Sequence, residues 1–155
     1  AGAYGKCIEL VDDSTSASVK LNHFFPAQTG TLTAEFRFMM PDVNNYFNIA
    51  LIGQDTNAVS IFVHQDQLSY KIGGEYRYLQ PMENQVWYDI TLVANVVTKK
   101  CDIYIDGVLK GFQKDFRYNT MSEISQIKVA TGNGGRNTGY VDDVNVYVGS
   151  TSNVV

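Results

Sequence analysis

Several residue types that mark a function class are scarce here. The 155 residues include two cysteines, three prolines, two histidines and one tryptophan. No uninterrupted apolar run reaches the ~20 residues needed to cross a bilayer, which excludes a spanning helix. Cys7 and Cys101 stand in no C-x2-C spacing, so a zinc site is not indicated. Either they bridge a first strand to a late one, or they are two buried thiols. His23 and His64 lie beside no recognisable nucleophile motif. Gly132 to Gly135 lacks the Lys-Ser/Thr pair of a phosphate loop and reads as a surface loop. Twelve Lys and Arg against sixteen Asp and Glu give a net charge of -4. With no basic run, neither nucleic acid nor an anionic membrane is an expected partner.

What is present is a folding composition, 45% hydrophobic and only 18% charged. It suits one domain, 1–155, with its own core. The chain starts Ala1-Gly2-Ala3, without an initiator Met or an apolar leader, so it is expected to be a mature or excised piece of a larger multidomain chain.

Period two dominates the chain. In Thr33 to Met40 one face carries Ala34, Phe36, Phe38 and Met40 while Glu35 and Arg37 point away, as in a strand with one buried face. Tyr46 to Ile52 and Val59 to His64 alternate in the same way, and Leu68 to Ile72 and Glu75 to Leu79 flank the hairpin turn Gly73-Gly74. Val86 to Val97, Cys101 to Ile105 and Val108 to Phe112 form further hairpins, the last across Asp106-Gly107. Ile124 to Ala130 and Tyr140 to Val148 complete the set, and Thr120 to Ser125 is the one expected helical turn. Ten to twelve short strands without a crossover helix predict an all-β fold, an antiparallel two-sheet β-sandwich.

Four segments carry a family resemblance. Trp87 to Asn95 followed by Cys101 to Val108 resembles the central hairpin of laminin-G-like, concanavalin-A-like jelly rolls. Gly5 to Leu10 resembles their first strand, Gly30 to Phe38 the strand that follows, and Gly139 to Tyr147 the closing strand. The resemblance implies a jelly roll and a choice among lectins, adhesion modules, glycan-binding modules of secreted polysaccharide-degrading enzymes, and glycoside hydrolases. Hydrolases of the laminarinase type place paired carboxylates in a Glu-x-Asp-x-x-Glu pattern. None of Glu9, Glu35, Glu75, Glu83 and Glu123 fits it, so the expectation is a binding module and not an enzyme.

Sugars are held by aromatic faces and by planar polar side chains, and ten tyrosines supply the former. With Phe36, Phe38, Phe47, Ile49, Val63 and Ile103 inward, alternation turns Arg37, Asn48, His64, Lys71 and Tyr104 outward, beside Tyr46. If their strands share one concave sheet, as the resemblance implies, these six line one groove. Arg77 joins them from Glu75-Tyr76-Arg77-Tyr78, which either clamps a sugar ring or protects an edge strand by its charge. The loops Phe116 to Asn119 and Asn133 to Asn137 carry the same two readings.

In glycan-binding members of the resembled family, a closing strand like Tyr140-Val141-Asp142-Asp143-Val144 supplies a carboxylate to a structural Ca2+. The resemblance therefore implies calcium at Asp142 and Asp143, joined by Glu9 and Asp12 if the terminal strands are neighbours; a calcium ion needs six to eight oxygens. The expected role is a non-catalytic carbohydrate-binding module of a secreted enzyme or surface protein, with a polysaccharide or oligosaccharide partner. The rival is a laminin-G-like adhesion module that binds protein.

Overall fold

The computed structural model describes residues 6–132 and 135–149. The Ala1-Gly2-Ala3 start, Gly5, Asn133 and Gly134 lie outside the described residues. Twelve strands follow in chain order: β1 (Ile8–Asp12), β2 (Lys20–Gln28), β3 (Thr31–Met39), β4 (Phe47–Gly53), β5 (Thr56–His64) and β6 (Gln67–Ile72). The second half holds β7 (Glu75–Pro81), β8 (Trp87–Asn95), β9 (Lys100–Ile105), β10 (Val108–Asp115), β11 (Ile124–Thr131) and β12 (Asn137–Val148).

They form two six-stranded antiparallel sheets, β1-β12-β3-β8-β9-β10 and β2-β11-β4-β5-β6-β7, called here the first and second sheets. The expected sandwich is therefore the fold. No helix occurs among the described residues, and the helical turn expected over Thr120 to Ser125 is instead an irregular segment that enters β11. The reason is tertiary: the Ser122 backbone amide donates to the Gln54 side chain of the β4–β5 turn at 2.9 Å instead of into a helical repeat. Strand β2 escapes sequence reading because its exposure does not alternate.

Tight two-residue turns set the register of the second sheet. Gly53 pairs with Thr56, His64 with Gln67 and Ile72 with Glu75, around Gln54-Asp55, Gln65-Asp66 and Gly73-Gly74. Gln54, Asp55, Gln65 and Asp66 all take positive φ, which matches the right-handed twist of the flanking strands. Each turn thus hands the next strand a known phase.

All six residues expected to point inward are buried, and Phe38 of the first sheet stacks on Phe47 of the second at a centroid distance of 6.1 Å. This contact spans the sandwich. Gly139 is required beside it, because a Cβ there would lie 2.3 Å from the Phe47 ring. Cys7 and Cys101 are both free thiols, so the bridge does not form; burial pushes the Cys101 thiol upward, leaving it protonated and packed as an apolar group.

Candidate functional site

Register decides which outward residues meet. Across the outer face of the second sheet, Lys20 of β2 pairs with Ala130 of β11, Ala130 with Asn48 of β4, Asn48 with Phe62 of β5, and Phe62 with Ser69 of β6. The adjacent position on β6, Lys71, pairs with Tyr76 of β7. One surface therefore collects side chains from all six strands.

At its centre Phe62 is an apolar ring on an outward-facing position, yet it is only 3% exposed. Its neighbours explain this. Tyr46 lies 5.5 Å from it between centroids, Tyr76 meets it edge-on at 5.5 Å, and the Lys71 ammonium sits 4.7 Å from its centroid and 4.2 Å from that of Tyr76. His64 stacks on Tyr76 at 6.2 Å. The Arg117 guanidinium covers Phe62 at 5.4 Å and is held by hydrogen bonds to the Gly73 carbonyl, at 3.1 Å, and the Ser60 hydroxyl. Cations over ring faces are each worth about 0.5–2 kcal/mol, so the layer is ordered before any ligand arrives.

Beside this layer opens a cleft of about 650 Å3. Tyr46, Asn48 and His64 form one side; Asn44 and Asn45 approach from the β3–β4 loop, Lys20 and Lys128 from β2 and β11, Gly132 from the β11–β12 connection and Asn137 from the start of β12. Gly132 must lack a side chain, because a Cβ would stand 2.6 Å from the Tyr46 ring. The Asn137 amide donates to the Tyr46 main-chain carbonyl, which ties the Tyr46 backbone to the start of β12. Burial, then the neighbouring Tyr76 phenol, holds the Tyr46 phenol far above its ordinary range, so it remains a neutral hydrogen-bonding group. Asn44, Asn45, Asn48 and the Tyr46 hydroxyl offer hydrogen-bond donors and acceptors to a ligand. No Asp or Glu lines the cleft among the described residues.

The expected residues divide three ways. Tyr46, Asn48 and His64 are brought together in the cleft, and Lys71 lies next to them in the aromatic layer. Arg37 and Tyr104 are not there: they occupy β3 and β9 of the first sheet, so the single six-residue groove is corrected to a surface without them. Arg37 instead donates to Asp89 at 2.7 Å, approaches Asp143 at 3.9 Å and covers Trp87. Arg77 also leaves the group, because it pairs with Tyr70, an inward position, and bonds Glu75 at 2.9 Å at the sheet edge. Phe62, Lys20 and Lys128 are the residues that sequence reading missed. Tyr76 and Arg117 stand in segments, Glu75 to Tyr78 and Phe116 to Asn119, for which a sugar contact is one of two readings, and the two-residue turn at Gly73-Gly74 sets Tyr76 opposite Lys71.

The four carboxylates expected to hold calcium do not form one ligand set. Asp12 is buried, and its carboxylate accepts hydrogen bonds from the Thr131 hydroxyl at 2.6 Å and the Ser14 amide at 2.9 Å, which lower its pKa below the ordinary value. Asp142 and Asp143 face the Arg37 side of β3, and Glu9 is exposed opposite Tyr140. The terminal strands are neighbours as expected, yet strand phase turns Asp12 inward and Glu9 outward, and no cluster of three metal-binding side chains exists among the described residues. Asp12 serves another purpose: Thr131 also accepts from the Val19 amide at 2.9 Å, so the network ties β1 and the start of β2 to the cleft wall at the end of β11.

A family model described as the concanavalin A-like lectin/glucanases superfamily matches residues 13–153. No curated protein matches by sequence. Among solved structures, a sialidase superposes with a TM-score of 0.83 at 16% identity, covering 96% of this chain but only 16% of that one. The catalytic domain of a GH131 β-glucanase from Podospora anserina gives a TM-score of 0.65 at 11% identity, covering 94% and 72% of the two chains. An alginate lyase of Polysaccharide Lyase family 7 gives 0.60 at 17% identity, covering 90% and 68%. At these identities the likeness is one of fold.

Proposed function

The chain belongs to the concanavalin A-like lectin/glucanases superfamily, and from that premise we propose that it is a non-catalytic carbohydrate-binding module whose binding surface is the outer face of the second sheet. The observation that carries the reading is the cleft bounded by Tyr46, Asn48 and His64 and continued by the ordered layer of Phe62, Lys71, Tyr76 and Arg117. Pre-set aromatic rings suit the C–H faces of a pyranose, and the asparagines suit its hydroxyls. Glycoside cleavage through paired carboxylates has no support in the lining, which lacks Asp and Glu among the described residues.

Such a module holds a parent secreted enzyme or surface protein near its polysaccharide. Affinity of micromolar to millimolar order suffices, because tethering raises local concentration. The sialidase supports this reading by carrying the fold as 16% of a longer chain. A protein partner is the second reading, favoured by Val108, Leu109 and Phe112 exposed along edge strand β10.

A glycan array followed by titration calorimetry tests the proposal. Tyr76→Ala is expected to lower affinity for the best saccharide about tenfold or more, as loss of a ring contact does. Absence of any saccharide binding, or bond cleavage by the purified protein, overturns it.

A further inference from the structure

We infer that the ligand of the cleft is an acidic saccharide, presenting a carboxylate or a sulfate ester to Lys20 and Lys128. This rests on the carbohydrate-binding reading and narrows it to a substrate class. The whole chain is acidic, with sixteen Asp and Glu against twelve Lys and Arg. Yet four of the twelve cations, Lys20, Lys71, Arg117 and Lys128, gather on this one face, and among the described residues none of them is in an ion pair.

Two of the four are already accounted for. Lys71 and Arg117 lie on aromatic rings, which stabilise them. Among the described residues no ring lies under Lys20 or Lys128. Lys20 pairs with Ala130, two residues along β11 from Lys128, so the two ammonium-bearing chains are diagonal neighbours on one side of adjacent strands, about 7–8 Å apart at the backbone. Lys128 is half-buried, and burial, then Lys20 and Arg117, displace its pKa downward. Among the described residues neither lysine has a carboxylate within ion-pair distance, so the repulsion left in place is a cost that the fold does not need, since a glutamine would fill the same position.

A neutral sugar settling here would desolvate Lys128 further with no compensating charge. An anionic group would instead take charge-assisted hydrogen bonds from both ammonium groups and relieve their repulsion. The row Lys20–Ala130–Asn48–Phe62 then orients the ligand: its acidic group at Lys20 and Lys128, its hydroxyls at Asn48, and its ring toward Tyr46 and His64. Small Ala130 keeps the path between them open.

The test is an array of neutral, carboxylated and sulfated glycans, followed by calorimetry of the best binder at low and high salt. An acidic best binder is expected, weakened by salt, and Lys20→Met with Lys128→Met should reduce its affinity about tenfold or more. Reducing its carboxyls to alcohols abolishes binding if a carboxylate is recognised and leaves it intact if a sulfate ester is. A neutral best binder that is insensitive to salt and to both substitutions overturns this inference while the module reading stands. If no glycan of any charge binds, both fall.

Discussion

The two outer faces of the sandwich follow opposite electrostatic rules. On the first sheet two cations are matched by carboxylates, Arg37 with Asp89 and Asp143 and Lys100 with Asp115, while the Tyr147 hydroxyl donates to Glu35 at 2.7 Å. On the second sheet, apart from the edge pair of Arg77 with Glu75, Lys71 and Arg117 sit on rings and Lys20 and Lys128 beside one another, and the cleft has no carboxylate among the described residues. The face with ordered rings, asparagines and ammonium groups beside one another is the one we propose to receive a ligand, and the core behind both faces is the same.

The comparison requires the two sheets to stay locked, so breaking the lock has the largest effect. Phe47→Ala should cost about 3–5 kcal/mol, because it removes the ring that stacks on Phe38 across the sandwich; denaturant unfolding measures it, and a loss below about 1 kcal/mol would show the contact to be dispensable. An intermediate effect is expected from Thr131→Val, which takes the first hydrogen bond from Asp12. A carboxyl with a lowered folded pKa stabilises fully above its unfolded value of about 3.9 and loses that contribution as pH falls through the folded pKa. The variant should therefore show a shallower fall in stability on the acid side than the parent; parallel curves would mean that Asp12 is not held by this bond. The smallest effects belong to the first sheet. Arg37→Ala and Tyr104→Ala should change glycan affinity by less than about twofold and stability by no more than about 1 kcal/mol, as exposed ion pairs do. A large loss of binding in either variant would move the site to the other face.

Alternation alone was enough to identify the sandwich and to sort Phe36, Phe38, Phe47, Ile49, Val63 and Ile103 into its core. It also turned Arg37 and Asn48 outward, which is correct for both. A period of two, however, carries one bit of information, the side of a residue's own sheet, and says nothing about which sheet that is. Strands β3 and β4 are consecutive in the chain yet lie in opposite sheets, because β3 pairs with β8 and β12 while β4 pairs with β5 and β11. Apart from β5, which follows β4 through a two-residue turn, those partners are distant in sequence, so only the assembled structure separated Arg37 from Asn48, brought Lys20 and Lys128 to Tyr46, and turned Asp12 away from Glu9.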